Sequence, residues 1–253
     1  MNKINLKSTD KSSRLDSMVF NLGLSESRAK ASDLIKEGKV LVNSKTISKP
    51  SYLVKVDDEI LIEENSKQWV SRGAIKLLFA INSFELDVVE KVVYDIGAST
   101  GGFTQVCLEK GAKLVCSIDV GTDQLHEKLK NDKRVFDISS TDIRAIRNLN
   151  IPTPDLLVVD LSFISLTVAL PIIMLTVPSK TKMICLIKPQ FELSKKSLNK
   201  NGVVKKDEYI EEVINKIKDF MKAVNWQVIG VKNSPIRGRS GNKEFLLYAS
   251  KGI

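Results

Sequence analysis

The sequence predicts an α/β protein: a mostly parallel sheet with helices on both faces, preceded by a small α+β module. Three observations carry that prediction. From Lys91 onward, near-continuous apolar runs alternate with stretches of helical spacing, as they do where a parallel sheet is buried on both faces. A glycine-rich loop beginning at Gly97 directly follows the first of these runs and opens a helix. Before residue 64 the pattern differs, with short strand and helix signals closely spaced. A length of 253 residues accommodates a small and a medium domain. A composition of 43% hydrophobic and 27% charged residues is that of an ordered globular chain.

Residues 1–11 are polar and read as a mobile tail. Residues 12–63 form the first module. Leu15, Val19 and Leu22 have helical spacing, and Gly23 ends that helix. Ser25 is placed to N-cap a second helix, roughly 26–37, which turns Leu34 and Ile35 inward and stops at Gly38. Lys39–Val42 reads as a strand and Asn43-Ser44 as a turn. Pro50 interrupts the pairing, and 53–56 and 59–62 read as two more strands around Asp57-Asp58. The strings Arg14-Leu15-Asp16, Gly23-Leu24-Ser25 with Ser27-Arg28 and Lys30-Ala31, and Leu34-Ile35 with Gly38, Val40 and Val42-Asn43 resemble the S4 RNA-binding domain. The resemblance implies that a helical face holds structured RNA, with Arg14, Arg28, Lys30 and Lys36 touching phosphates without reading sequence.

Residues 64–70 read as a linker with Trp69 packing at its end, and 71–253 as the second domain. Its strands are expected at 91–96, 113–119, 155–160, 182–188, 226–231 and 243–248, and its helices at 102–110, 122–131, 166–176 and 207–224. In such a sheet, functional groups gather at the carboxyl ends of the strands.

Several functional classes drop out. No run approaches the roughly 20 apolar residues of a membrane-spanning helix, and the opening MNKINLKSTDKSSR lacks the apolar core of a signal peptide. Cys107, Cys116 and Cys185 are odd in number and far apart. This argues against a disulfide framework or a metal site, and for a reducing cytoplasm. His126 is the only histidine, so Ser-His or Cys-His catalysis would rest on it alone. The net charge of +9 is uneven: residues 68–192 carry 14 basic and 14 acidic residues, residues 193–253 carry 13 and 6. Such a surplus suits nucleic acid or a membrane surface, and equally a merely soluble lysine-rich chain.

The loop Gly97-Ala98-Ser99-Thr100-Gly101-Gly102-Phe103 is suited to close approach by a ligand. It has the glycine spacing of a phosphate-binding P-loop, but Phe103 stands where the lysine is needed. The dinucleotide fingerprint fails because position 99 is serine. S-adenosylmethionine, which brings no phosphate, fits the pattern. Asp119, ending the next strand, can accept hydrogen bonds from both ribose hydroxyls of such a ligand. Asp142 can reach an adenine edge, or it can cap a helix starting at Ile143.

Four polar residues stand where core packing would not choose them: Lys76 before the first strand, Asp160 and Lys188 ending apolar strands, and Glu244 beginning one. Lys188 and Asp160 would meet at the carboxyl edge of the sheet. Methyl transfer from a sulfonium to a hydroxyl needs such a set. The hydroxyl must lose a proton, a lysine accepts one only when neutral, and burial and a second lysine favour that form. Carboxylates orient the lysines, and the rest is proximity and alignment.

Residues 70–250 resemble the FtsJ-like RNA ribose methyltransferases with their Lys-Asp-Lys-Glu tetrad, and the whole chain resembles the TlyA (hemolysin A) family. The strings are Val70-Ser71-Arg72-Gly73 with Lys76, Asp95-Ile96-Gly97 through Thr104, Asp119-Val120-Gly121, Asp160 with Ser162-Phe163-Ile164-Ser165-Leu166, Leu186-Ile187-Lys188-Pro189-Gln190-Phe191-Glu192, Ser234-Pro235-Ile236 with Gly238, and Gly241-Asn242 with Glu244. The resemblance implies a Rossmann-like sheet and S-adenosylmethionine held by Gly97 through Phe103, Asp119, Val120, Asp142 and Asp160. It implies Lys188 as base or hydroxyl activator, Lys76 positioning the ribose and favouring the neutral form of Lys188, and Asp160 and Glu244 orienting them. Family substrates are cytidine riboses of 16S and 23S ribosomal RNA, with no obligate protein partner evident. Ala74, Gln105 and Thr122-Asp123 depart from the family's usual wording without removing a tetrad member.

Two other readings stay open on sequence. One is an S4-type RNA-binding protein with a degenerate methyltransferase fold. The other is the membrane-lysing toxin suggested by the older family name, against which the lack of a long amphipathic basic helix counts. The basic C-terminal stretch, with Arg237 and Arg239 and with Arg72 upstream, is expected to form RNA surface beside the active site.

Overall fold

The computed structural model describes residues 12–43, 45–55, 57–62 and 69–252. The expected tail 1–11, Ser44 of the expected turn, Val56, Glu63 at the end of the first module, residues 64–68 of the expected linker and Ile253 lie outside them. The chain divides into two compact units, Met1–Gln68 and Trp69–Ile253.

The first unit runs β1 (Ser13–Arg14), α1 (Leu15–Asn21), α2 (Arg28–Lys36), β2 (Val40–Val42), β3 (Lys45–Thr46), β4 (Leu53–Val54) and β5 (Ile60–Ile62). Leu15, Val19, Ala31, Ile35, Val40, Val42 and Val54 form its core. Each fully buried Leu, Ile or Val stabilises by roughly 1.5–3 kcal/mol. The second helix is capped by Ser27 and not by Ser25: Ser27 Oγ accepts from Lys30 N at 3.1 Å, while Ser25 Oγ donates to the Ser27 carbonyl. Ser27 has the extended backbone a cap requires, so the helix starts two residues later than its spacing suggested. Leu53-Val54 pairs with β1, whereas 60–62 pairs with β2. The strands around Asp57-Asp58 are therefore in different ladders. Asp58 accepts from Lys55 N and Asn43 Nδ2 between them.

The second unit begins with α3 (Gly73–Ser83), β6 (Val92–Ile96), α4 (Gly102–Glu109), β7 (Leu114–Ile118), α5 (Glu127–Lys130) and β8 (Val135–Ile138). After a 3₁₀ turn at Ile143–Asn148 come β9 (Leu156–Val159), α6 (Leu166–Ala169), α7 (Pro171–Thr176), β10 (Lys182–Ile187), α8 (Pro189–Glu192), α9 (Asp207–Ala223), β11 (Trp226–Asn233) and β12 (Phe245–Lys251). The sheet order is β11-β12-β10-β9-β6-β7-β8. Strands β10, β9, β6, β7 and β8 are mutually parallel, and β12 is antiparallel to both neighbours.

Alternation along β10 divides the core in two. Met183, Cys185 and Ile187 face the side covered by α6, α7 and α9, and Ile184 and Leu186 face α3 and α4. Helix α9 buries Ile210, Val213, Ile217 and Met221, one stripe at helical spacing. Two expected helices are corrected. Residues 122–131 yield only α5, because Asp123 at φ +55° is left-handed and cannot sit inside an α-helix. Residues 166–176 split at Pro171, which lacks an N–H and starts a new helix.

Candidate functional site

Strand order reverses between β6 and β9. From β6 the chain winds outward through β7 and β8, and from β9 through β10 in the other direction. Ligands of open α/β sheets bind outside the strand carboxyl ends at such a switch point. Gly97 directly follows β6 and Asp160 directly follows β9, and Asp160 N donates to the Ile96 carbonyl at 3.0 Å. Ile187 of β10 pairs with Phe245 of β12 at the end of their ladder, so Lys188 and Glu244 lie one residue beyond it at the same sheet edge.

Two ion pairs occupy this edge. Lys76 Nζ, from the first turn of α3, donates to Glu244 Oε2 at 2.6 Å, with side-chain exposures of 10% and 3%. Burial that deep makes each charge depend on the other. Lys188 Nζ lies 2.6 Å from Asp160 Oδ1. That contact is an ion pair by distance only, since no donor reaches Asp160 Oδ1 in hydrogen-bond geometry. The directed bond of Lys188 goes instead to Ser162 Oγ at 2.7 Å. Sequence reasoning gave Ser162 no role, although it lies two residues after Asp160.

The glycine loop and its surroundings are rich in carboxylates. Asp119 Oδ2 accepts from Ser99 N at 2.8 Å and Oδ1 from Gly121 N at 2.7 Å. Gly97 has φ +83°, and a Cβ on it would stand 2.6 Å from the Asp160 carbonyl oxygen, so a side chain here would push the two loops apart. Gly101, also left-handed, precedes α4, and Gly102 begins it. Ser99, Thr100 and Val120 are exposed, and Ala98 is buried. Phe103 is 3% exposed, its ring packed in the core that α3 and α4 share. It faces inward from the first turn of α4. Asp142 takes the capping alternative, its Oδ1 accepting from Arg144 N at 2.9 Å. The Arg144 guanidinium holds its carboxyl below the usual range.

Asp95, the last polar residue of β6, is fully buried. Its Oδ2 accepts from Thr104 Oγ1 at 2.6 Å, while its Oδ1 has no partner. Burial pushes this carboxyl up to about 7; the Thr104 hydrogen bonds oppose the shift, and the charges of Asp160 and Asp119 add to it. Loss of water around a charge costs more than one hydrogen bond returns.

The expected RNA contacts are spread over both units. Arg14 clamps Asp16 through Nε and Nη2 at 3.0 and 2.8 Å, and Arg28 Nη2 reaches the same carboxylate at 3.4 Å. Both arginines stay exposed, as does Lys36, and Lys30 is half-buried. In the second unit, Arg72 Nη2 donates to the Arg237 carbonyl at 3.3 Å, Arg237 Nη1 donates to the Gly241 carbonyl at 3.0 Å, and Arg239 is exposed. Gln105, one of the family departures, pins the start of this unit by accepting from Val70 N at 2.8 Å.

Other chemistries find less support. His126 Nδ1 caps α5 by accepting from Lys128 N. Burial raises the Cys116 and Cys185 thiols to about 11 and about 12, and Cys107 rises in the same way, so none is a ready nucleophile. Among the described residues no cluster of metal-ligating side chains occurs, and no helix is long and apolar enough to cross a membrane.

Comparison with known proteins matches the FtsJ-like methyltransferase family over residues 69–251 and the S4 domain over residues 13–60. Hemolysin A of Brachyspira hyodysenteriae is 38% identical over 93% of this chain and 98% of its own length. The 16S/23S rRNA (cytidine-2′-O)-methyltransferase TlyA of Mycobacterium tuberculosis is 37% identical over 93% of this chain and 88% of its own. A solved Streptococcus thermophilus structure bearing a hemolysin name is 34% identical, with a TM-score of 0.74 over 96% of this chain and 90% of that one.

Proposed function

We propose, from the premise that this chain belongs to the FtsJ-like methyltransferase family, that residues 71–253 transfer a methyl group to the ribose 2′-hydroxyl of ribosomal RNA. Residues 12–63 would help hold that RNA. The TlyA relatives make cytidine the nucleotide to test first.

S-adenosylmethionine, when bound, supplies the methyl group as a sulfonium electrophile. The residues present suit it. Asp95 offers a buried oxygen with no partner, and the charges of Asp160 and Asp119 add to the cost of ionising it. A cationic ligand relieves that repulsion, whereas a polyphosphate would add to it. Asp119 and the backbone of Gly97 through Gly102 would hold it, and Asp142 and Val120 would border it.

The chain's own residues then act on the hydroxyl. Lys188 Nζ engages the 2′-oxygen and takes its proton. Asp160 balances the resulting ammonium at 2.6 Å. Lys76, fixed by Glu244, positions the ribose. Arg14, Arg28, Lys30, Lys36, Arg72, Arg237 and Arg239 would contact phosphates.

The observation that carries this reading is the meeting of both lysine–carboxylate pairs at one sheet edge, beside a carboxylate-lined glycine loop at the switch point. Mass mapping of ribosomal RNA nucleosides with and without the protein tests it. A new 2′-O-methyl group supports it; methylation on base atoms with riboses untouched overturns the ribose assignment.

A further inference from the structure

The short helix α8 grips the loop 160–165 at three points. Lys188, at its start, reaches Asp160 and Ser162. Phe191 stacks on Phe163 with ring centroids 5.0 Å apart, and Lys188 Nζ lies 5.8 Å from the Phe191 ring. Glu192, at its end, accepts from Ser165 Oγ at 2.5 Å and from Leu166 N at 2.7 Å, with its side chain 1% exposed. The loop is also constrained from within, since Phe163 holds φ +66°. Lys188, Phe191 and Glu192, in and just before α8, thus fix the backbone from which Ser162 projects.

The neutral lysine amine, the form that can take a proton, has two N–H donors and one lone pair, and where the lone pair points depends on where the N–H bonds are spent. Asp160 sits close to Lys188 without directing any of them, as its Oδ1 receives no hydrogen bond. A carboxylate in that role sets charge more than angle. Ser162 Oγ receives the one directed bond. We infer that Ser162 is a positioning residue for the methyl transfer: its hydroxyl aims the Lys188 amine, while Asp160 balances the charge. This rests on the assignment of Lys188 to the 2′-hydroxyl.

Loss of the aim misplaces the amine without emptying the site. Ser162→Ala in the full-length protein is expected to lower kcat on ribosomal RNA on the order of 10- to 100-fold, with KM for S-adenosylmethionine within about twofold. Ser162→Thr, which keeps an acceptor oxygen, is expected to recover most of the lost kcat. Ser162→Cys, of similar size but a weak acceptor, is expected to resemble alanine, and it replaces alanine if the smaller side chain lowers the melting temperature. A kcat equal to wild type in both alanine and cysteine variants overturns the inference, as does a threonine variant no better than alanine. Lys188→Ala separates the two levels. If Lys188→Ala abolishes turnover while the Ser162 variants are normal, only the role of Ser162 falls. If Lys188→Ala is fully active, the assignment of Lys188 falls and the inference about Ser162 falls with it.

Discussion

Lys76 Nζ and Glu244 Oε2 meet at 2.6 Å across 168 residues of chain, in a setting where both side chains are almost fully buried. Removing one partner strands the other charge. Glu244→Ala should destabilise the protein by about 3–5 kcal/mol. In a domain of this size that is a fall in melting temperature on the order of 10 °C. Differential scanning calorimetry checks it, and an unchanged melting temperature would mean that water already solvates Lys76.

Gly238 reports on the same carboxylate. A Cβ there would stand 2.4 Å from Glu244 Oε1 and 3.1 Å from its Cδ. Gly238→Ala should therefore push Glu244 off Lys76 and lower turnover on the order of 100-fold while leaving RNA affinity nearly intact. Steady-state kinetics with a filter-binding control reads both.

The Asp95 carboxyl, pushed up to about 7 by burial, is partly protonated at neutral pH. A cation bound beside it favours the carboxylate. Binding of S-adenosylmethionine near pH 7 should then release a fraction of a proton to the buffer, and release should vanish at alkaline pH, where the group is already ionised. Titration calorimetry in buffers of different ionisation enthalpy measures this. Asp95→Asn should abolish the buffer dependence.

Asp16 has the opposite shift. The Arg14 hydrogen bonds hold its carboxyl down at about 2, against the effect of burial, with Arg28 adding to the lowering. A lowered carboxylate pKa gives stability that is present above the unfolded value near 4 and is lost as pH falls through about 2. Asp16→Asn should cost about 1–2 kcal/mol at pH 7, allowing for solvent screening, and almost nothing near pH 2. Hydrogen exchange of amides in α1 and α2, compared at the two pH values, tests the sign.

The C-terminal charge surplus has a structural focus. Residues 195–206 run through a 3₁₀ turn (Lys195–Ser197) into a loop closed by the isolated Leu198–Val204 bridge, and Lys195, Lys196, Lys200, Lys205 and Lys206 on this segment are exposed. The buried Asn242, two residues before Glu244, holds this loop by accepting from Val204 N and donating to the Gly202 carbonyl. Replacing these lysines with glutamine should weaken RNA binding and reduce its salt slope by about 0.7–0.9 per lost phosphate contact. An unchanged slope would place the RNA elsewhere.

Much of the fold was legible because a strand buried on both faces must be apolar along its length, as Leu156–Val159 and Met183–Ile187 are. Helix α3 was not, since Ala74, Leu77, Leu78, Phe79, Ala80 and Ile81 give no amphipathic period. The two-residue strands β1 and β3 carry too little sequence to signal anything. In the site, Lys76, Asp160, Lys188 and Glu244 were visible as polar residues at apolar boundaries. The meeting of Lys188 with Asp160 was legible too, since both end parallel strands. The Lys188–Ser162 bond and the pairing of Lys76 with Glu244 in particular were not, because contacts across 26 and 168 residues depend on register and not on local pattern. The inward direction of the Phe103 ring was not legible either, because motif position says nothing about which face of α4 a residue occupies.

The most direct test of the whole account is nucleoside mass analysis of ribosomal RNA incubated with labelled S-adenosylmethionine and either the wild-type protein or Lys188→Ala. The account predicts labelled 2′-O-methylcytidine with wild type and none with Lys188→Ala. Equal label from the two proteins, or label confined to base atoms, would contradict it.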